Sequence, residues 1–176
     1  MKKIVLIILA VLTMAGCGSG REVTPAAQKP QARQEIPVVA PTAGEKARDG
    51  RFIAYDNGTV RDTRTGLMWA AKDSVSPIKW QGAKSYCENY RGGGYTGWRM
   101  PTQNELEGLY DTAKAYKPDC GNAVHLTGLI RLTCGYTWSS ETRGSEAALF
   151  DFFNGRRLWR PQTGGDIRAL SVHSGK

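Results

Sequence analysis

Short alternating runs of hydrophobic and polar residues dominate the chain from about residue 51 onward. Residues 52–55, 59–62 and 67–69 have the length and composition of strands. Asn57-Gly58 and Thr65-Gly66 separate them, and both steps suit tight turns that need a positive φ. We therefore predict three consecutive strands at the start of a folded region.

Two later segments have helical periodicity. Trp80, Ala83, Cys87 and Tyr90 recur at spacings of three and four, so residues 80–90 are predicted to form a helix. The run of three glycines at 92–94 would end it.

A second helix is predicted just after Pro101. Thr102 and Glu105 have the spacing of a capping box, in which each side chain binds a backbone N–H group at the start of a helix. The apolar stripe expected on this helix is Leu106, Leu109, Tyr110 and Ala113.

The remainder reads as a long loop followed by strands. Residues 114–135 have little periodicity, whereas 136–140 and 167–172 are strand-like. Residues 147–153 and 156–160 flank Asn154-Gly155, which predicts a hairpin with a two-residue loop. Strands, two helices, a long loop and more strands indicate an α+β domain with a mainly antiparallel sheet.

The first 17 residues have a different pattern. Lys2 and Lys3 precede an apolar run at 4–12, which is too short for the ~20 residues of a membrane span and is typical of a secretory signal. Small residues just before Cys17 resemble the lipobox of bacterial lipoproteins, which implies removal of residues 1–16 and acylation of Cys17. Gly18, rather than the Asp of proteins retained in the inner membrane, favours the outer membrane. The alternative is an ordinary signal with an incidental cysteine.

Residues 17–50 differ in composition from the rest of the chain. They contain half of the prolines and no aromatic residue, so they cannot bury enough apolar surface to offset the entropy of ordering. We predict a disordered tether at 17–50 and one folded domain at 51–176.

The domain contains a series of short motifs in a fixed order: Gly58-Thr59-Val60, Thr65-Gly66-Leu67-Met68-Trp69, Trp98-Arg99-Met100-Pro101-Thr102, Glu105-Leu106 and Tyr136-Thr137-Trp138-Ser139-Ser140. This order resembles that of the Lcl C-terminal domain family. The resemblance implies a C-type-lectin-like fold and an extracytoplasmic, often surface-linked module. The family is named after a collagen-like adhesin whose C-terminal domain is associated with sulfated glycans. The motif residues, which we expect to be structural, are Trp69, Trp98, Arg99, Pro101, Thr102, Glu105 and Trp138.

Without Cys17, three cysteines remain in an oxidising compartment. Cys120 and Cys134 lie close together on the predicted loop and are the expected disulfide, which would contribute about 3 kcal/mol. Many family members carry a cysteine at the position of Ala169, so Cys87 is expected to be a free, buried thiol here. The alternatives are a bridge from Cys87 to Cys120 or Cys134, or a reactive nucleophile.

The sequence contains no convincing catalytic or metal-binding pattern. His125 and His173 lack neighbours at metal-ligand spacing, and we expect both to be exposed bystanders. The calcium motifs of C-type lectins, Glu-Pro-Asn and Trp-Asn-Asp, are absent from the sequence. We therefore expect a non-catalytic protein without cofactor or metal. A formylglycine-generating type of enzyme, which needs two copper-binding cysteines, is the less favoured alternative.

Charge gives the one indication of a ligand. The chain has a net charge of +8, of which the domain contributes +5 through 17 Lys and Arg against 12 Asp and Glu. Its densest basic and aromatic cluster is Arg156, Arg157, Trp159 and Arg160. Arginine binds sulfate or carboxylate through paired N–H groups, and tryptophan stacks on sugar rings.

This cluster also has a structural interpretation. A two-residue hairpin loop would place Phe152 opposite Arg157 and Phe150 opposite Trp159, with Asp151 between Arg156 and Arg160 as a neutralising charge. Arg99 is likewise expected to be buried scaffold. The hypotheses are an envelope module that binds acidic glycan, and a structural protein that acts through protein contacts or oligomers. The predicted compartment disfavours nucleic acid.

Overall fold

The computed structural model describes residues 43–175. The predicted signal at 1–16, the lipidation site at Cys17 and the tether as far as residue 42 lie outside the described residues. Within 43–175, no helix combines the length and apolar character needed to cross a membrane.

Eight strands, two α-helices and a short 3-10 helix (Gly92–Gly94) are the secondary-structure elements of the described residues. In chain order the strands and α-helices are β1 (Glu45–Asp49), β2 (Phe52–Tyr55), β3 (Thr59–Asp62), β4 (Met68–Ala70), α1 (Trp80–Asn89), α2 (Gln103–Glu107), β5 (Tyr136–Arg143), β6 (Glu146–Asp151), β7 (Arg156–Pro161) and β8 (Val172–His173). The strands form a five-stranded sheet in the order β1-β2-β3-β4-β8 and a three-stranded sheet in the order β5-β6-β7, both antiparallel. The α+β prediction is confirmed, with two sheets in place of one.

The ordered region begins before residue 51, contrary to the predicted tether boundary. β1 pairs with β2 through the register Asp49 to Phe52, and Gly50 adopts a φ of 58° in the turn between them. The strand is largely polar because it lies at the sheet edge, where backbone hydrogen bonds are enough to hold it. Its composition therefore resembles that of a linker.

The three-stranded sheet is buried on both faces of its central strand. Five of the six residues of β6 are buried. Phe150 packs into a core cluster with Leu106 and Trp69, whereas Leu149 packs into a second cluster with Trp138 and Trp80. A strand buried on both sides has no alternation of polar and apolar residues.

The hairpin between β6 and β7 differs from its prediction by two residues in register. Asp151 pairs with Arg156 and Phe150 with Arg157, so residues 152–155 form a four-residue loop. Phe152 leaves the ladder because its backbone N–H donates to Gly135 and its carbonyl accepts from His125. The sequence-based pairings of Phe152 with Arg157 and Phe150 with Trp159 are therefore wrong.

The second helix is shorter than predicted. The capping box is confirmed, since the Glu105 backbone N–H donates to Thr102 Oγ1 at 3.2 Å and the Thr102 N–H donates to Glu105 Oε2 at 2.8 Å. The helix ends at Glu107, so the stripe continues only to the buried Leu109, and Ala113 is exposed.

The predicted long loop contributes to the core, and the predicted last strand is shorter than expected. Residues 108–135 contain no named helix or strand, yet they bury Val124, Leu126 and Ile130 in the core. Only Val172 and His173 of the predicted strand at 167–172 are assigned to one. The residues before them pair singly, as when Arg168 bridges Thr137.

Candidate functional site

The basic cluster predicted from the sequence lies on β7, an edge strand of the three-stranded sheet. Side chains alternate between the two faces of a strand, so Arg157 and Trp159 share one face while Arg156 and Arg160 share the other. The strand therefore separates the four residues into two pairs.

The first pair already has partners within the protein. The Arg157 guanidinium binds Glu107 and donates to Asn104 Oδ1 at 2.5 Å, both on α2. The guanidinium of Arg143 lies 4.4 Å from the centroid of the Trp159 ring and covers one of its faces. These contacts make Arg157 and Trp159 parts of the scaffold.

The second pair is available to a ligand. Arg156 and Arg160 are exposed, and within residues 43–175 neither forms an ion pair. The expected neutralisation by Asp151 does not occur, because its carboxylate accepts from the Phe153 N–H at 2.8 Å and from Asn154 Nδ2 at 3.1 Å. Four residues along a strand place the two arginines about 13 Å apart.

A polar cleft of about 410 Å³ is lined in part by Phe153 and Asn154, in the loop that precedes Arg156. Tyr136 is in register with Asp151, which is in register with Arg156. The Tyr136 ring packs edge-on against Phe153, with the ring centroids 5.4 Å apart. The other lining residues are Cys120, Asn122, Ala123 and Cys134. Aromatic rings beside amide groups offer stacking and hydrogen bonds to a sugar.

Arg99 is not buried, contrary to its expected scaffold position. Its side chain is 44% exposed and holds Glu105 through two hydrogen bonds of 2.8 and 2.6 Å. Burial by itself would raise the pKa of Glu105, but the hydrogen bonds from Arg99 and from the Thr102 backbone lower it. Glu105 therefore serves both the helix cap and the arginine.

A second cleft, of about 300 Å³, lies beside this ion pair. Trp80 and Met100 form its apolar floor, and Lys84, Glu88 and Arg99 bring charge to it. Lys84 and Glu88 pair with each other at 3.4 Å, and Arg99 is held by Glu105, so each of the three charges is matched. The other motif residues fill structural positions, since Trp69, Trp98, Pro101 and Trp138 are all buried.

The predicted cysteine pattern is confirmed for the described residues. Cys120 and Cys134 form a disulfide with their Cα atoms 5.3 Å apart. Cys87 is free and fully buried on α1, and burial raises the pKa of its thiol to about 12. Such a thiol is protonated at neutral pH and is a poor nucleophile.

Neither histidine is the exposed bystander that we expected. His173 is buried in β8 and lies against Trp98 and Tyr95, with ring centroids 5.6 and 5.3 Å away. His125 is partly buried, with Nδ1 3.1 Å from the carbonyl of Lys114. Among residues 43–175, no group of three or more His, Cys, Asp or Glu side chains is placed to hold a metal ion.

Sequence reasoning missed the residues that complete the basic surface. Arg143 and Tyr136 come from β5, and Asn122 comes from the long loop. A signal for Arg143 was present, because Gly144-Ser145 marks a tight turn that brings β5 beside β6. No local pattern places Asn122, which lies two residues after Cys120 of the disulfide.

Comparison with known proteins places the chain in a family. No individual curated protein matches it. The model of the Lcl C-terminal domain matches residues 58–171, which span β3 to the residue before β8 and include both helices and the disulfide. By this match, and with an architecture of antiparallel strands and two short helices, the chain belongs to the Lcl C-terminal domain family.

Proposed function

We propose that this protein is a lipid-anchored, non-catalytic module of the bacterial cell envelope that binds an acidic glycan. The anchor would be an acylated Cys17 in the outer membrane. The C-type-lectin-like fold implied by the family resemblance belongs to the same proposal. The observation that carries the proposal is that Arg156 and Arg160 lie exposed on one face of an edge strand without acidic partners in the described chain.

The ligand is expected to extend from these arginines toward the polar cleft. Sulfate or carboxylate groups would pair with the guanidinium groups, and a sugar ring would contact Tyr136 or Phe153. Because both arginines are exposed, salt screens the attraction and binding weakens as ionic strength rises.

Binding of the full chain to heparin, alginate and neutral dextran tests this assignment. The double variant Arg156→Ala, Arg160→Ala should bind heparin and alginate at least about tenfold more weakly at low salt, as expected for two lost charge-assisted contacts. Arg61→Ala with Arg64→Ala is the matched control, because these arginines are exposed and the net charge changes equally. The proposal is wrong if the two double variants lose affinity equally or if no acidic polysaccharide binds.

A structural protein that oligomerises is the second candidate function. The outer edge of β7 is unpaired within the described chain, and such edges can pair with another copy. Three arginines and Pro161 disfavour this, since charge and proline protect an edge strand from pairing. Sedimentation equilibrium of the full chain tests the second candidate, because pairing through β7 would produce a dimer.

The state of the cysteines in the described residues supports the non-catalytic role over the enzyme alternative. Two reduced cysteines are needed to bind copper, whereas Cys120 and Cys134 are joined and Cys87 is buried with a raised pKa. A non-catalytic role remains the proposal.

A further inference from the structure

A pocket of about 290 Å³, separate from the two clefts described above, lies between the segment after β4 and the long loop. Lys72, Lys117 and Arg131 are its cationic lining residues. None of the three belongs to the β7 cluster or to the family motif residues. They are separated by 45 and 14 positions along the chain, so no local sequence pattern marks them as a group.

The fold places these like charges around one pocket. Lys72 and Arg131 are direct neighbours across a parallel β-bridge. All three side chains are exposed, and within the described chain none forms an ion pair. An anion bound between them would relieve their mutual repulsion.

Two carboxylates also line the pocket, and one of them accepts several hydrogen bonds from within the protein. Asp73 is buried, and its oxygens accept from the Val75 N–H at 2.9 Å, the Thr133 N–H at 2.7 Å and the Thr133 hydroxyl at 3.0 Å. Asp119 is exposed on the rim. The cations therefore outnumber the acids, and the buried acid serves to shape the wall.

The aromatic wall of the pocket is held rigidly. The Tyr116 hydroxyl donates to the Ile130 carbonyl at 2.8 Å and accepts from the Leu132 N–H at 2.6 Å. The Arg131 guanidinium lies 4.7 Å from the centroid of this ring, so the ring restricts its position. A pre-positioned guanidinium loses little entropy when it binds an oxyanion.

Backbone strain is concentrated at the rim. Val75 has a φ of 60° and lies at the centre of a γ-turn in which the Ser76 N–H donates to the Ser74 carbonyl at 2.6 Å. This conformation is unusual for a β-branched residue. The Asp73 carboxylate holds the backbone N–H group of Val75, and this residue stays 60% exposed.

We propose that this pocket binds a small organic phosphate, with Lys72, Lys117 and Arg131 around the phosphate group. A phosphate monoester carries between one and two negative charges at neutral pH, and so suits a pocket lined by three cations. The pocket has room for more than the phosphate group alone. Val75 and Leu132 offer apolar contacts to the carbon part of the ligand, which gives the exposed and strained Val75 a role.

Titration calorimetry of the full chain with glucose 6-phosphate, glucose 6-sulfate and glucose tests the assignment. Glucose 6-phosphate should bind with a stoichiometry of one, glucose should not bind, and the sulfate should bind more weakly. Arg131→Gln and Lys72→Gln should each weaken binding of the phosphate at least about tenfold. Both side chains are exposed, so the variants should keep the circular dichroism spectrum of the parent protein.

The double variant Arg156→Gln, Arg160→Gln is the control. It should lose heparin binding but bind glucose 6-phosphate within about twofold of the parent protein. An equal loss of glucose 6-phosphate in this variant would move the phosphate to the β7 surface and overturn the proposal. Equal affinity for phosphate and sulfate would overturn the assignment of phosphate, and an absence of binding would remove the site.

Discussion

At the scale of single residues, Cys87 is a free thiol placed in the core. It is fully buried on α1, in the same core cluster as Ala169, and its Sγ atom lies 3.6 Å from the carbonyl oxygen of Leu170. The family resemblance places a second cysteine of many members at Ala169. In this chain the Cys87 thiol packs as a small apolar side chain.

A cysteine introduced at position 169 should form a disulfide with Cys87. In a Cys17→Ser background, Ala169→Cys is expected to leave no free thiol after air oxidation and to raise the free energy of unfolding by about 4 kcal/mol, because the bridge closes a loop of roughly 80 residues. Thiol titration in denaturant and urea unfolding measure the two effects. Ala70→Cys is the control, since Ala70 is equally buried but lies in the other cluster. Two free thiols in the Ala169→Cys protein would contradict the prediction.

At the scale of elements, the stability of α2 depends on the hydrogen bonds of its first turn. A helix of five residues has too few internal hydrogen bonds to be stable by itself. The capping box supplies two more, and Arg99 holds the Glu105 carboxylate in place. The Gln103 side chain then attaches the helix to the three-stranded sheet through the carbonyls of Leu149 and Leu158, at 2.9 and 3.1 Å.

Removing the cap should weaken the domain measurably. Thr102→Ala is expected to lower the free energy of unfolding by about 1 kcal/mol, as for other helix caps. Thr96→Ala, at an exposed position outside the helices and strands, should change it by less than about 0.5 kcal/mol. Urea unfolding at neutral pH makes the comparison. Equal effects of the two variants would show that the cap contributes nothing.

The contribution of Glu105 to stability is predicted to depend on pH. The folded protein holds the pKa of Glu105 below its ordinary value of 4.5, so the stabilisation is complete above that value and is lost as the pH falls through the lowered pKa. The difference in unfolding free energy between the parent protein and Glu105→Gln should therefore shrink from about pH 6 to about pH 3. A constant difference across this range would contradict the predicted shift.

Local patterns predicted these elements unequally. The capping box, β2 and β3 were predictable because turn residues and short alternating runs act within a few positions. The register of β6 with β7 was not, since Phe152 is drawn out of the hairpin by hydrogen bonds to Gly135 and His125, which are distant in sequence. The division of the basic cluster between two faces was predictable from strand alternation. The partners of Arg157 and Trp159 were not, because they come from α2 and β5. Lys72, Lys117 and Arg131 meet only through the fold.

At the scale of the whole molecule, the last strand connects segments that are far apart in sequence. β8 pairs with β4, and Val172 exchanges two backbone hydrogen bonds of 2.9 Å with Arg99, close to the start of α2. The Ser171 carbonyl accepts from the Ala70 N–H at 3.0 Å. Val172 is fully buried in the cluster that contains Trp69. This short segment therefore forms the last strand of the five-stranded sheet and binds the backbone of Arg99, which precedes α2.

Removing residues 171–176 should destabilise the entire domain. The burial of one valine contributes about 1.5–3 kcal/mol, and three lost backbone hydrogen bonds add about 0.5–1.5 kcal/mol each. We expect a loss of at least about 3 kcal/mol, a large share of the ~5–15 kcal/mol typical of a domain. Removal of residues 174–176 is the control, because Ser174 is exposed and β8 remains. Urea midpoints of the full chain and both truncations measure the difference. Similar midpoints for the two truncations would mean that the sheet and α2 hold together without β8.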